Sequence, residues 1–153
     1  MIVSSAKHQR IVNVPKAYLW KIMSDFKNVG TLLPPPIIDE VKCESNKIGS
    51  LRYLTLGEKQ KYPGEITERL EAMYNQSFFV YSIVDTSCLP VRNYIANITF
   101  KEISKKQTET KISSNWIDKS SSPEEMKKMF EDLYELMFLN SETQYTERNN
   151  NES

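Results

Sequence analysis

The apolar positions of the chain change period three times. Residues 2–14 mix β-branched and polar side chains (Ile2, Val3, Ile11, Val12, Val14), which predicts an N-terminal strand stopped at Asn13-Val14-Pro15. Tyr18, Leu19, Ile22, Met23 and Phe26 then recur at helical spacing, with Trp20 on an adjacent face. They predict a helix of about three turns, opened by Pro15, where a missing N–H costs nothing. Gly30 and Pro34-Pro35-Pro36 forbid a long continuation and leave room for a short second helix near 27–33. From Ile37 the pattern becomes that of strands, predicted at 37–43, 50–56, 65–73, 78–85, 93–103 and 109–118. Turn residues separate them: Asn46-Lys47 with Gly49, a loop from Gly57 to Gly64, Tyr74-Asn75-Gln76, a connection over 86–92, and Ser104 to Thr108.

Helical spacing returns after Ser122. Met126, Met129, Phe130, Leu133, Leu136, Met137 and Asn140 form a stripe that Tyr134 and Phe138 widen. Ser122 is placed as the N-cap, Pro123 at the first helical position, and Glu125 as the residue completing a capping box. Residues 141–153 are polar without apolar periodicity and read as a C-terminal tail, so residues 1–140 form the predicted single domain.

The predicted fold class is α+β: one strand, two short helices, six further antiparallel strands and one long helix. A seven-stranded antiparallel sheet with one apolar face needs a cover, and only the last helix is long and apolar enough to supply it. A strongly curved sheet wrapped around one helix leaves a gap, because both of its ends cannot touch that helix. The gap is a predicted pocket of the kind that holds small molecules.

Composition narrows the function classes. The 153 residues carry 20 basic and 20 acidic side chains, so there is no electrostatic footprint for nucleic acid or an anionic membrane surface. No apolar run approaches the roughly 20 residues of a membrane span, and no charged segment followed by an apolar one marks a signal peptide. Cys43 and Cys88 lie far apart, which gives neither a disulfide framework nor metal-ligand spacing and suits two half-buried thiols in a reducing compartment. The expectation is a cytoplasmic protein without metal or cofactor. His8, the one histidine, is expected at the surface, and no base stands placed to activate a nucleophile. Asn75 and Asn97 match the glycosylation pattern by chance.

Charges in the strands carry the candidate chemistry. Alternation puts Arg52 on one face with Leu54 and Leu56, and Glu68 on one face with Ile66 and Leu70. If both faces point inward the two charges can meet, as a structural ion pair or as a ligand anchor in which Arg52 takes a carboxylate or carbonyl. In the second case Glu68 holds Arg52 and Tyr94 donates a phenolic hydrogen bond. Glu68 is also a candidate general acid or base. On the last helix Met129, Phe130, Leu133, Tyr134 and Phe138 are candidate contacts on the pocket floor, where methionine suits a pocket that adapts to its contents.

Gly49-x-x-Arg52, Glu68-Arg69-Leu70-Glu71, Tyr81-x-Ile83, Leu89-Pro90 and Asn93-Tyr94 follow in that order. Val14-Pro15-x-x-x-x-Leu19-Trp20 and Asp25-Phe26 precede them. The series resembles the helix-grip superfamily, which includes START domains, the birch pollen allergen family and the bacterial polyketide cyclase/dehydrase-like proteins (SRPBCC). It is most similar to the last branch, which also includes the plant abscisic-acid receptors. The resemblance covers roughly residues 8–140. It implies a cavity in which Arg52, Glu68 and Tyr94 turn polar groups inward and Tyr81, Ile83, Ala96 and Ile98 line the apolar part. Gly57-Glu-Lys-Gln-Lys-Tyr-Pro63-Gly64 and Cys88-Leu-Pro-Val-Arg92 stand where the receptors carry their gate and latch. The resemblance therefore implies an uncharacterised bacterial member rather than a hormone receptor. Three functions follow as expectations: binding of a small hydrophobic or aromatic, lipid- or polyketide-like molecule; a cofactor-independent cyclase or dehydratase using Glu68; and a ligand-gated interaction module whose loops 57–64 and 86–92 meet a protein partner.

Overall fold

A computed structural model describes residues 2–152. The elements run β1 (Val3–Val12), α1 (Lys16–Ser24), a short 3-10 turn (Phe26–Asn28), α2 (Val29–Leu32), β2 (Ile38–Cys43), β3 (Leu51–Leu56), β4 (Gly64–Tyr74), β5 (Phe78–Ser87), β6 (Val91–Ser104), β7 (Gln107–Asp118) and α3 (Pro123–Glu152). All seven strands form one antiparallel sheet in the order β1-β7-β6-β5-β4-β3-β2. The chain from β2 to β7 is an uninterrupted meander, and β1 closes onto β7. This is the helix-grip α+β architecture, with α3 lying in the concave face of the sheet.

Register shifts interrupt several strand pairs. β4 and β5 pair Glu68 with Ile83 but Ile66 with Ser87, so β5 carries a bulge over Val84–Thr86. Asp85 takes a left-handed backbone there (φ 59°), and Asn93 does the same in β6 (φ 56°). Asp and Asn tolerate this conformation better than other non-glycine residues. β5 and β6 pair only from Phe78↔Thr99 to Ser82↔Ile95. Beyond that register β5 follows β4 and β6 follows β7.

The core fills one half of the concavity. Val12, Leu19, Phe26, Phe79, Ile98, Ile112, Trp116 and Phe138 are almost fully buried. Trp20 meets the edges of Phe79 and Phe100 at 6.1 and 5.3 Å between ring centroids. Ile98 and Ala96, expected to line the cavity, belong to this packed region: they pair with Phe79 and Tyr81 of β5 and are sealed in the interior. Phe138 is likewise core. His8 stacks on it at 5.8 Å, and His8 Nε2 bonds Glu135, so the histidine is half-buried rather than on the surface.

The tail expected at 141–153 is helical through Glu152. Apolar periodicity ends at Asn140, but docking does not. Ser141 is fully buried and donates to Met137 O at 2.8 Å. Tyr145 meets the ring of Tyr18 at 4.8 Å, and Gln144 Nε2 donates to Thr31 Oγ1 at 2.7 Å. Glu142 accepts the Asn13 N–H at 2.9 Å. The contacts fall at helical spacing, but polar groups make them, and a search for an apolar stripe passes over them. The capping box is also half made. Ser122 Oγ accepts the Glu125 N–H at 3.2 Å as expected, while the Glu125 carboxylate turns away to the loop after β3. Among the described residues no helix is long and apolar enough to cross a membrane.

That loop is fixed at its start by close approach of backbone. A Cβ on Gly57 would lie 2.1 Å from the Pro36 carbonyl oxygen, while the Gly57 N–H donates to Ile37 O at 3.0 Å. Gly57→Ala must push the two segments apart. The expected loss is about 1–3 kcal/mol of unfolding free energy, the range for overpacking a close contact, read as a lower urea midpoint at unchanged slope.

Candidate functional site

α3 approaches β1 and α2 most closely among its neighbours, and the β3–β5 side of the sheet stands away from it. Between them is a cavity of about 420 Å³. This lies within the usual few-hundred-Å³ range of small-molecule sites. The sheet contributes Arg52, Leu54 and Leu56 from β3, Ile66 and Glu68 from β4, Tyr81 and Ile83 from β5, and Tyr94 from β6. The α3 wall is Met129, Phe130, Leu133, Tyr134 and Met137, and a third wall is Val29, Leu33, Ile37 and Ile38. Eleven of the fourteen predicted residues therefore line the cavity, whereas Ala96, Ile98 and Phe138 do not.

Register explains the polar base. Arg52 and Glu68 are directly opposed across β3 and β4, and both side chains are buried. Arg52 Nε and Nη2 donate to the same oxygen, Oε1 of Glu68, each at 2.7 Å. Nη1 donates to Phe26 O at 2.9 Å, and the guanidinium lies 3.8 Å from the centroid of the Phe26 ring and 5.1 Å from that of Tyr81. The arginine expected to hold a ligand carboxylate thus has a protein partner on each of its three nitrogens. Its cation is balanced by Glu68, and its faces are covered by aromatic rings.

A chain of hydroxyls runs beside this pair. Tyr81 Oη lies 3.1 Å from Tyr94 Oη, Tyr94 Oη lies 2.6 Å from Tyr134 Oη, and Tyr134 donates to Ser114 Oγ at 2.6 Å. The expected hydrogen bond from Tyr94 to a ligand is therefore taken up within the protein. Burial pushes all three phenols well above their ordinary pKa. The Glu68 charge adds to the shift at Tyr81, and Tyr134 and Tyr81 add to it at Tyr94. At Tyr134 the next largest contribution after burial comes from Tyr81.

The rim is charged. Lys61 Nζ meets Glu125 Oε1 at 2.7 Å, and Tyr62 Oη donates to the same carboxylate. The Lys61 bond, then the Tyr62 bond, hold the Glu125 carboxyl below its ordinary pKa. Cys88 Sγ donates to Tyr62 O at 3.3 Å, so the 57–63 loop leans on α3 at one side and on the β5–β6 connection at the other. Lys128 and Asp132 complete the rim, 3.1 Å apart. Both cysteines are free and half-buried.

Sequence reasoning missed the wall between α2 and β2 and the residues Gln60, Tyr62 and Leu89. Leu33, Ile37 and Ile38 flank the proline run and carry no period that would assign them a direction. Ser114 was findable: it alternates with Ile112 and Trp116, which face inward on β7.

Neither the family models nor the curated proteins contain a match to this chain. Solved structures do match. An uncharacterised protein from Bacillus thuringiensis superposes with a TM-score of 0.73 at 20% identity, over 93% of this chain and 98% of its own. The protein XoxI from Bacillus cereus gives 0.74 at 20% identity, over 95% and 96%. At this identity the likeness establishes the fold.

Two measurements follow from the polar base. Removing one member of a buried, hydrogen-bonded ion pair strands the other charge, at about 3–5 kcal/mol, whereas replacing both with apolar groups is often neutral. Arg52→Met is expected to lose about that much stability in urea unfolding, and Arg52→Met/Glu68→Leu to recover most of it. Equal loss in the single and double variants would refute a coupled pair. The phenols act in the alkaline range. Their folded pKa lies above the unfolded value near 10. The unfolded chain therefore releases protons that the folded chain keeps. Stability is unaffected below that pH and falls as pH rises past it, by about 1.4 kcal/mol per pH unit per tyrosine. Tyr94→Phe is expected to make the decline shallower by one such increment, read from urea midpoints at increasing pH.

Proposed function

We propose that this protein binds a small, largely apolar molecule, aromatic or lipid- or polyketide-like, inside the cavity between the sheet and α3. One observation carries this reading: a concavity of about 420 Å³ left open behind a wall of leucine, isoleucine, methionine and aromatic side chains, with a charge-balanced polar group at its base. Packing to native density would close such a space, since interiors tolerate few voids larger than a water molecule. Apolar walls with a few convergent polar groups are the usual composition of ligand sites. The resemblance of the β3–β6 residues to the polyketide cyclase/dehydrase-like branch supports the same reading. Met129 and Met137 give the α3 wall a surface that adapts to its contents.

Filling the cavity tests this. N-phenyl-1-naphthylamine, a neutral dye that brightens in apolar surroundings, is expected to bind the protein at one site. Leu54→Trp should fill part of the space and weaken the dye about ten-fold or more, with the circular dichroism spectrum retained. Dye binding that is undiminished in a folded Leu54→Trp protein would place the dye elsewhere and sink the proposal.

A further inference from the structure

We infer that the polar end of the ligand is a neutral hydrogen-bond donor, a hydroxyl or an N–H, received at the base of the cavity by Oε2 of Glu68 and Oη of Tyr81. This rests on the cavity being a binding site and adds the chemistry of what enters it.

Each phenol has one proton to donate. Tyr134 gives its proton to Ser114 Oγ. At the 2.6 Å contact between Tyr94 and Tyr134 the proton must then come from Tyr94. At the contact between Tyr81 and Tyr94 it must come from Tyr81. The chain therefore has one direction, Tyr81 to Tyr94 to Tyr134 to Ser114, and at its cavity end Tyr81 offers only lone pairs. Glu68 tells the same story by a separate route. Both donations from Arg52 fall on Oε1, and among the described residues no hydrogen bond reaches Oε2, although the side chain is buried and lines the cavity. A carboxylate accepts at both oxygens, so Oε2 is left as an open acceptor on the cavity wall. The two open positions are thus both acceptors, on side chains near enough for the Glu68 charge to act on the Tyr81 hydroxyl.

Charge selects among donors. Arg52 and Glu68 cancel at the base of the cavity. A ligand carboxylate would add a second buried anion facing one arginine whose nitrogens are already engaged, and an ammonium would add an uncompensated cation. Buried charge without a partner is strongly disfavoured. A neutral O–H or N–H satisfies one of the two acceptors, an NH2 group both, and each leaves the charge balance intact.

Matched bicyclic probes test this by displacement of N-phenyl-1-naphthylamine at neutral pH. 2-Naphthol, a donor, is expected to bind about ten-fold tighter than 2-methoxynaphthalene or 2-acetonaphthone, which have the same body and only acceptors, and tighter still than 2-naphthoate. Tyr81→Phe keeps every charge and removes one acceptor. It should cut the naphthol advantage several-fold while leaving 2-methoxynaphthalene within about two-fold, which a general disturbance of the cavity would not do. Glu68→Gln replaces an acceptor by an amide that also donates and should shift preference toward 2-acetonaphthone, provided the protein remains folded by circular dichroism. Equal affinity for 2-naphthol and its methyl ether, or tighter binding of the ketone or carboxylate by the unmodified protein, overturns the donor inference and leaves the binding proposal standing. Failure of the dye and every probe to bind overturns both.

Discussion

A single helix cannot fill the concavity of a seven-stranded sheet. α3 settles against β1 and the α1–α2 segment, and the β3–β5 side is left standing off it. Everything else about the site follows from that choice of side. His8, Arg10 and Glu135 hold the helix to β1: Arg10 Nη1 reaches Glu135 at 2.7 Å, and His8 bonds the other carboxylate oxygen. Asn140 and Gln144 hold it to α2, with Asn140 Nδ2 donating to Leu32 O at 2.7 Å. The helix is tethered by polar bonds at one flank and walled by apolar side chains at the other. The unfilled volume is therefore displaced to the side where β3, β4 and β5 present Arg52, Glu68 and Tyr81.

The buried ion pair has a structural role as well as a place in the cavity. Phe26 lies at the end of the helical segment that follows β1, and its carbonyl and ring both engage Arg52. Its N–H goes to Asn46 in the β2–β3 turn at 2.6 Å. One residue thus ties the first helix to the strand carrying the guanidinium and to the hairpin beside it. A buried pair is weak evidence for stability, because desolvation opposes the Coulomb attraction. Its geometry is informative for a different reason: Arg52 is fixed on three sides, so the position and orientation of the Glu68 carboxylate are fixed with it.

Much of this was legible in the residues. Residue pattern separated seven strands from the helical segments, and the opposed register of Arg52 and Glu68 followed from alternation once β3 and β4 were paired. The side of the sheet on which the space would open was not legible, because it depends on polar tethers between residues more than a hundred positions apart, such as His8 with Glu135. Polar docking also concealed the last turns of α3. Ser141 and Tyr145 look like tail residues in a hydrophobicity pattern and act as packing residues in the fold. The family resemblance placed Ala96 and Ile98 on the inward side, and both are buried. It could not tell the packed half of an interior from the open half, since the two differ only in how far the helix stands from the sheet. The same limit applied to Arg52: its direction and its pairing with Glu68 were readable, but the carbonyl that occupies Nη1 and the ring against its guanidinium come from Phe26, which lies in another element.

Several departures from local rules lie around the opening. Glu125 leaves its capping box half made and spends its carboxylate on Lys61 and Tyr62 at the rim. Asp85 and Asn93 adopt left-handed backbone where β5 and β6 part, on either side of Leu89 and next to Ile83 and Tyr94, all three of which line the cavity. Glu68 turns to the cavity with both Arg52 bonds on one of its oxygens. Each departure forgoes a local stabilisation that an ordinary helix start or strand pair would have. Natural chains keep such inconsistencies chiefly at functional or strained positions. In the packed half, by contrast, Ile98, Ile112, Trp116 and Phe138 follow alternation, helical spacing and burial together. Local rules are also broken in the packed half, where Thr110 Oγ1 is buried without a partner, so what distinguishes the β3–β5 side is the open volume beside its irregularities.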